Sequence, residues 1–141
     1  MADKHSKETR SYNMSQIRGK DTRPEEVVRK YLFAKGFRYR KNDSRLPGKP
    51  DIVLPKYKTV IFVNGCFWHG HEGCKYFVWP QNNADFWKSK ISGNIARDQV
   101  NKKLLAEKGW RILVIWECEL KKACIDENLQ NVIAFILAGE P

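Results

Sequence analysis

The sequence predicts a mixed α/β domain of the α+β kind, a central sheet with helices packed against it. Three observations carry this reading. Two apolar runs, Thr59-Val60-Ile61-Phe62-Val63 and Ile112-Leu113-Val114-Ile115-Trp116, have the length of buried strands and fall well short of a membrane span. Amphipathic helical stretches with recognisable start and stop residues flank them. The resulting order, helix, three strands, helix, strand, helix, buries apolar faces only if the helices cover the sheet. With 141 residues the chain has material for one core and too little for two independent domains. The expected division is an N-terminal arm over residues 1–20 and a single domain over residues 21–141.

The arm is polar, with Met14 and Ile17 as its sizeable apolar groups after Tyr12. A helix start follows at Asp21-Thr22-Arg23-Pro24-Glu25: Thr22 can cap, proline suits the first turn, and Glu25 completes a Thr-x-x-Glu capping box. Val27, Val28, Tyr31 and Leu32 give this helix a buried face, and Gly36 stops it. Phe37 to Arg40 alternates as a short strand does, a loop rich in turn formers runs from Asn42 to Pro50, and strands follow at Ile52–Leu54 and Thr59–Val63. Gly65 to Asn83 has no clear period and concentrates Cys, His, Gly and aromatic residues, so it is expected to be an irregular loop organised by a metal. A helix is expected from Ala84 to Lys108 with Gly93 as a weak point and Gly109 as the stop. A buried strand then spans Trp110–Trp116, with both tryptophans in the core, and Leu129–Leu137 lies in a final amphipathic helix.

There are 26 Lys plus Arg against 16 Asp plus Glu, a formal charge of +10, which favours phosphate-rich partners such as DNA or RNA. A solvated basic surface accounts for the charge equally well. No segment qualifies as a membrane span, and the charged first ten residues lack the apolar stretch of a secretory signal, so the expected location is the cytoplasm. In that reducing compartment Cys66, Cys74, Cys118 and Cys124 are better suited to metal ligation than to disulfides.

Three constellations bear on chemistry. Cys66-x4-His71-x2-Cys74 with a distant Cys118 makes a Cys3His set suited to tetrahedral zinc, and four protein ligands would make that zinc structural. The alternative is buried structural cysteines with surface histidines. Pro50-Asp51 opens a strand with a carboxylate, and Glu25, His69, Asn94 and Asp98 could join it. Magnesium-assisted phosphodiester hydrolysis needs hard carboxylate oxygens and a group that activates water. Each residue has a plainer reading: Glu25 as a cap, His69 as a zinc ligand or surface group, Asp98 paired with Lys102. Phe67-Trp68 and Phe86-Trp87, the latter beside Lys88 and Lys90, are aromatics of the kind that wedge between base pairs, although core packing is the usual fate of tryptophan.

Taken together, three segments resemble the very short patch repair (Vsr) DNA mismatch endonucleases: Leu46-Pro47-Gly48-Lys49-Pro50-Asp51, Val60 to His71 through Asn64-Gly65-Cys66-Phe67-Trp68-His69, and Gly109 to Cys118 through Trp116-Glu117. Thr9-Arg10-Ser11, Asn13-Met14 and Ile17 extend the likeness into the arm. The resemblance implies a restriction-endonuclease-like core with structural zinc, and a magnesium-dependent nick 5′ of the mispaired T in a T·G mismatch. It implies that Asp51 and the Val63 carbonyl contact magnesium, that Glu25 and Asp98 hold magnesium-bound waters, and that His69 activates or orients the attacking water. It implies further that Phe67, Trp68 and Trp87 enter the duplex from the major groove, that Met14 and Ile17 enter from the minor groove, and that Lys90 and Asn94 contact the mispair. A monomer working on double-stranded DNA is expected, with a mismatch-repair accessory protein assisting turnover.

One residue departs from the family pattern: Asn64 stands where histidine is common beside the metal, and an amide cannot shuttle a proton near neutral pH. Two readings therefore compete with the mismatch nickase. One is a zinc-stabilised module that binds distorted DNA with weak or lost cleavage. The other is a general nuclease of the same fold that also cuts paired DNA.

Overall fold

The computed structural model describes residues 22–139, so the expectations for the arm, including Met14 and Ile17, lie outside the described residues. Helix α1 (Arg23–Ala34) leads to strands β1 (Arg40–Lys41), β2 (Ile52–Leu54) and β3 (Thr59–Asn64). Helix α2 (Ala84–Glu107), strand β4 (Arg111–Trp116) and helix α3 (Ile125–Ala138) complete the order, with single 3-10 turns at Pro55–Tyr57 and Glu117–Leu120. The sheet runs β1-β2-β3-β4: β2 is antiparallel to both β1 and β3, whereas β3 and β4 are parallel and joined by a crossover through α2.

Alternation along the strands sends side chains to two faces, and helices cover both. On one face Ile52, Leu54, Ile61, Val63 and Ile115 meet Val28 and Leu32 of α1 and Leu129, Val132 and Ile136 of α3. On the other, Val53 and Val60 pack with Leu105 of α2, supported by Leu46, Phe62, Trp110 and Ile112. Double coverage explains why β2 and β3 read as unbroken apolar runs. Each aliphatic side chain fully buried this way stabilises the fold by roughly 1.5–3 kcal/mol. Among the described residues, no helix is long and apolar enough to cross a membrane.

Several local expectations are corrected. Thr22 makes no side-chain cap hydrogen bond, although its carbonyl accepts from the Glu26 N–H at 3.0 Å, and Glu25 is buried instead of closing a capping box. The strand expected from Phe37 shrinks to Arg40–Lys41 because Gly36, at φ +90°, turns the chain and lets the Phe37 N–H bond back to the Leu32 carbonyl at 3.0 Å. Phe37 thereby plugs the end of α1. Gly93 remains inside α2. Helix α3 contains the expected Leu129–Leu137 and begins one turn earlier at Ile125, which packs on the core in register with Leu129, while Asp126 and Glu127 suit a helix N-terminus. Strand β4 lies at the sheet edge, so only Ile115 among its residues is buried. Trp110 precedes that strand, half-buried under the Lys58 ammonium at 4.3 Å, and Trp116 leaves the core to stack on His71.

Candidate active site

The antiparallel β2 begins where β3 ends, and the parallel β4 ends there too, so Asp51, Asn64 and Glu117 gather at one end of the sheet. They line an open cleft of about 730 Å³. Thr22, Pro24 and Glu25 bring the N-terminus of α1 to the same cleft, and Lys49 and Lys90 flank it. A helix N-terminus with two ammonium groups favours a phosphate-bearing ligand.

Asp51 Oδ2 accepts a hydrogen bond from the Val63 N–H at 2.7 Å. In an extended strand the N–H and C=O of one residue face the same neighbour, so the Val63 carbonyl shares the edge on which Asp51 sits. Glu25, from α1, lines the same cleft as Asp51, close enough for its charge to act on the Asp51 carboxyl. It is 3% exposed and forms an ion pair with Arg29, itself 5% exposed, with Nη1 at 3.2 Å from Oε2. Burial pushes the Asp51 carboxyl from its ordinary 3.8 up to about 7; the Val63 N–H pulls it down, Glu25 pushes it further up, and His69 pulls it down. Crowded, poorly solvated carboxylate oxygens of this kind fit a hard divalent cation, whose charge relieves their repulsion.

His69 comes from the loop after β3, and its Nδ1 lies 2.7 Å from Asp98 Oδ2 on α2. Asp98 is thus taken up by the imidazole and not by Lys102, and His69 stands outside the cysteine cluster. Gly70 is what lets the loop lie against α2: at φ +59° it takes a left-handed conformation, and a Cβ there would come within 2.7 Å of Ile95 Cδ1. Asn94 ties the same loop down, its Nδ2 donating to the Trp68 carbonyl at 2.8 Å while Arg97 Nη2 donates to its Oδ1. Asn64, 5% exposed, ends β3 at the cleft wall.

Cys66, His71, Cys74 and Cys118 converge, with their ligand atoms all within 4.8 Å of one another. A tetrahedral zinc with Zn–S bonds of about 2.3 Å spaces its sulfurs by about 3.8 Å, so this cluster fits such an ion with slight contraction. Burial and the Cys66 and Cys74 thiols push the Cys118 thiol up to about 12, the crowding a metal would relieve. His71 is sandwiched, its Nδ1 3.5 Å from Cys118 Sγ and its ring stacked on Trp116 at 4.0 Å. Cys124 lies outside the cluster, with its thiol donating to the Cys118 and Glu119 carbonyls.

Phe67, Trp68 and Trp87 form one aromatic knot, with centroids 5.4 Å apart for Phe67 with each tryptophan and 5.7 Å between the tryptophans. All three are half-buried, and Phe67 and Trp68 also line the cleft. Phe77 and Trp79 extend the knot beyond what the sequence singled out. Lys49 and Glu117 were likewise missed as cleft residues, although each adjoins a segment already marked: Lys49 two positions before Asp51, Glu117 between Trp116 and Cys118.

Acidic groups and an oriented imidazole beside lysines, at the open end of a mixed sheet, define a nuclease of restriction-endonuclease-like fold. A family model described as DNA mismatch endonuclease Vsr matches residues 2–75. The chain is 51% identical to the type II nicking enzyme V.NmeAIP of Neisseria meningitidis, over 94% of this chain and 95% of that one. It is 46% identical to the type II nicking enzyme V.XorIIP of Xanthomonas oryzae pv. oryzae, over 94% and 98%. It is 42% identical to the DNA mismatch endonuclease Vsr of Escherichia coli, over 99% and 90%. The chain belongs to the Vsr family of DNA mismatch endonucleases.

Proposed function

We propose that the protein is a magnesium-dependent endonuclease that hydrolyses one phosphodiester 5′ of the mispaired T in a T·G mismatch and so initiates very short patch repair. The observation that carries this reading is a single cleft in which Asp51, backed by Glu25, shares the wall with an imidazole already oriented by Asp98. The relatives named as nicking enzymes support cleavage of one strand.

Asp51 and the Val63 carbonyl would hold the magnesium, with Glu25 and Asp98 supporting it from beside them. Held there, magnesium would supply charge neutralisation at the scissile phosphate and a more acidic bound water. An ionised carboxylate only accepts, so the hydrogen bond to Asp98 keeps the proton of His69 on Nδ1 and leaves Nε2 to take a proton from the attacking water. Asn64 positions a phosphate oxygen or water, a task that needs no proton transfer. Lys90 and Asn94 contact the mispair. Phe67, Trp68 and Trp87 wedge in from the major groove and Met14 and Ile17 from the minor groove, where a mispair costs less to unstack than a normal pair. Zinc held by Cys66, His71, Cys74 and Cys118 is structural, because four protein ligands leave no open position. The protein works as a cytoplasmic monomer on double-stranded DNA, with a mismatch-repair accessory protein assisting turnover.

Asn64 favours a second reading, a mismatch-binding module with weak or lost cleavage. A nicking assay on T·G and matched T·A duplexes, with magnesium and with chelator, separates the readings. The proposal expects one nick, in the T strand of the T·G duplex, only with magnesium. Binding without a nick selects the module, and equal cutting of both duplexes selects a general nuclease.

A further inference from the structure

We infer that Arg29 is a positioning residue: through its buried ion pair it holds Glu25 against Asp51 and thereby sets how tightly the cleft retains its divalent cation. This rests on the metal role proposed for Asp51. Glu25 lines the cleft and Arg29 does not, so the ion pair is the described link by which Arg29 acts on the site. The two residues lie one turn apart on α1 with the acid N-terminal to the base, the favoured orientation for such a pair. Both are at least nine-tenths buried, beside Val28 and Leu32 on the face of α1 that meets the sheet.

Stability alone gives little reason for an ion pair there, since desolvating two charges offsets most of their attraction and an apolar pair of similar size packs as well. The site does give one. Two carboxylates side by side at the edge of a low-dielectric core repel each other, and a glutamate side chain has rotamers that relieve the repulsion by turning away. A guanidinium, always charged and fixed 3.2 Å from Glu25 Oε2, opposes that movement and keeps the second carboxylate beside the first before any cation arrives. Partners of metal-site carboxylates fixed in this way typically alter metal affinity by roughly 10–100-fold when removed.

The test is titration of the purified protein with manganese, a paramagnetic substitute for magnesium, followed by electron paramagnetic resonance. Arg29→Met should weaken manganese binding by about tenfold or more. Arg29→Lys should recover most of the loss, and adding Arg29→Met to Glu25→Ala should cause no further loss. If Arg29→Met fails to fold, Arg29→Gln keeps a donor, removes the charge and carries the same expectation. Unchanged manganese affinity in a folded Arg29→Met or Arg29→Gln protein would overturn the inference, as would an equal loss with and without Glu25. Manganese binding with this Arg29 dependence in a protein that leaves T·G duplex uncut would sink the proposed function while sustaining the role of Arg29.

Discussion

His69 and Asp98 stand 29 positions apart in the chain, yet Nδ1 of the one lies 2.7 Å from Oδ2 of the other, joining the loop after β3 to the middle of α2. The pair orients the His69 ring: one nitrogen is held, and the other has a fixed heading.

His69→Ala should therefore lower the single-turnover nicking rate by about 10²–10⁴-fold, the range for losing a general base, without weakening mismatch binding. Asp98→Asn should cost less, since an amide still holds the ring but can select the wrong tautomer. Normal cutting by His69→Ala would remove it as the water activator.

Asp51→Ala should abolish nicking and spare binding, because it removes the proposed metal ligand and leaves the aromatic knot intact. With its carboxyl pushed up to about 7, Asp51 must release a proton to take magnesium, so apparent magnesium affinity should fall by about tenfold per pH unit below 7. For stability the sign is the reverse. A carboxyl raised in the folded state stabilises the metal-free protein below about pH 4, and that contribution is lost as pH rises to about 7. Thermal melts at several pH values should show this slope without magnesium and lose or reverse it with saturating magnesium, and Asp51→Asn should flatten the metal-free slope.

Metal analysis should find zinc near one per chain. Cys118→Ser should lose it and lower the melting temperature, whereas Cys124→Ser should keep it, since Cys124 lies outside the cluster. A stable, zinc-free wild-type protein would show that the cluster is held by packing alone.

Trp68→Ala should weaken T·G binding by about 1–3 kcal/mol if the ring stacks on a base. Lys4→Ala should weaken matched and mismatched duplex alike and reduce the salt dependence. Affinities for both duplexes at several salt concentrations distinguish the two effects. Full T·G preference in a folded Trp68→Ala protein would assign Trp68 to the packing of the knot and move the wedge elsewhere.

The element order, the buried faces of α1 and β3 and the spacing of Cys66, His71 and Cys74 were legible in the residues, because each is a local pattern. Asp51 was legible only in company: Pro50-Asp51 is a common pair, and the surrounding segments with their family likeness gave it weight. Glu25 was legible as a residue and misread in its local role, since a Thr-x-x-Glu start looks the same whether the glutamate caps or is buried.

By itself the sequence determined the order of helices and strands and which family motifs they carry, since periodicity and motif spacing act over a few neighbours. Only the tertiary structure decided the partners: Glu25 with Arg29 and Asp51, His69 with Asp98, Trp116 with His71, and Glu117 in the cleft. The physical reason is the sheet. The antiparallel register of β2 with β3 and the parallel register of β3 with β4, where Asn64 pairs with Trp116, bring distant strand ends together, and no local propensity encodes where those ends meet.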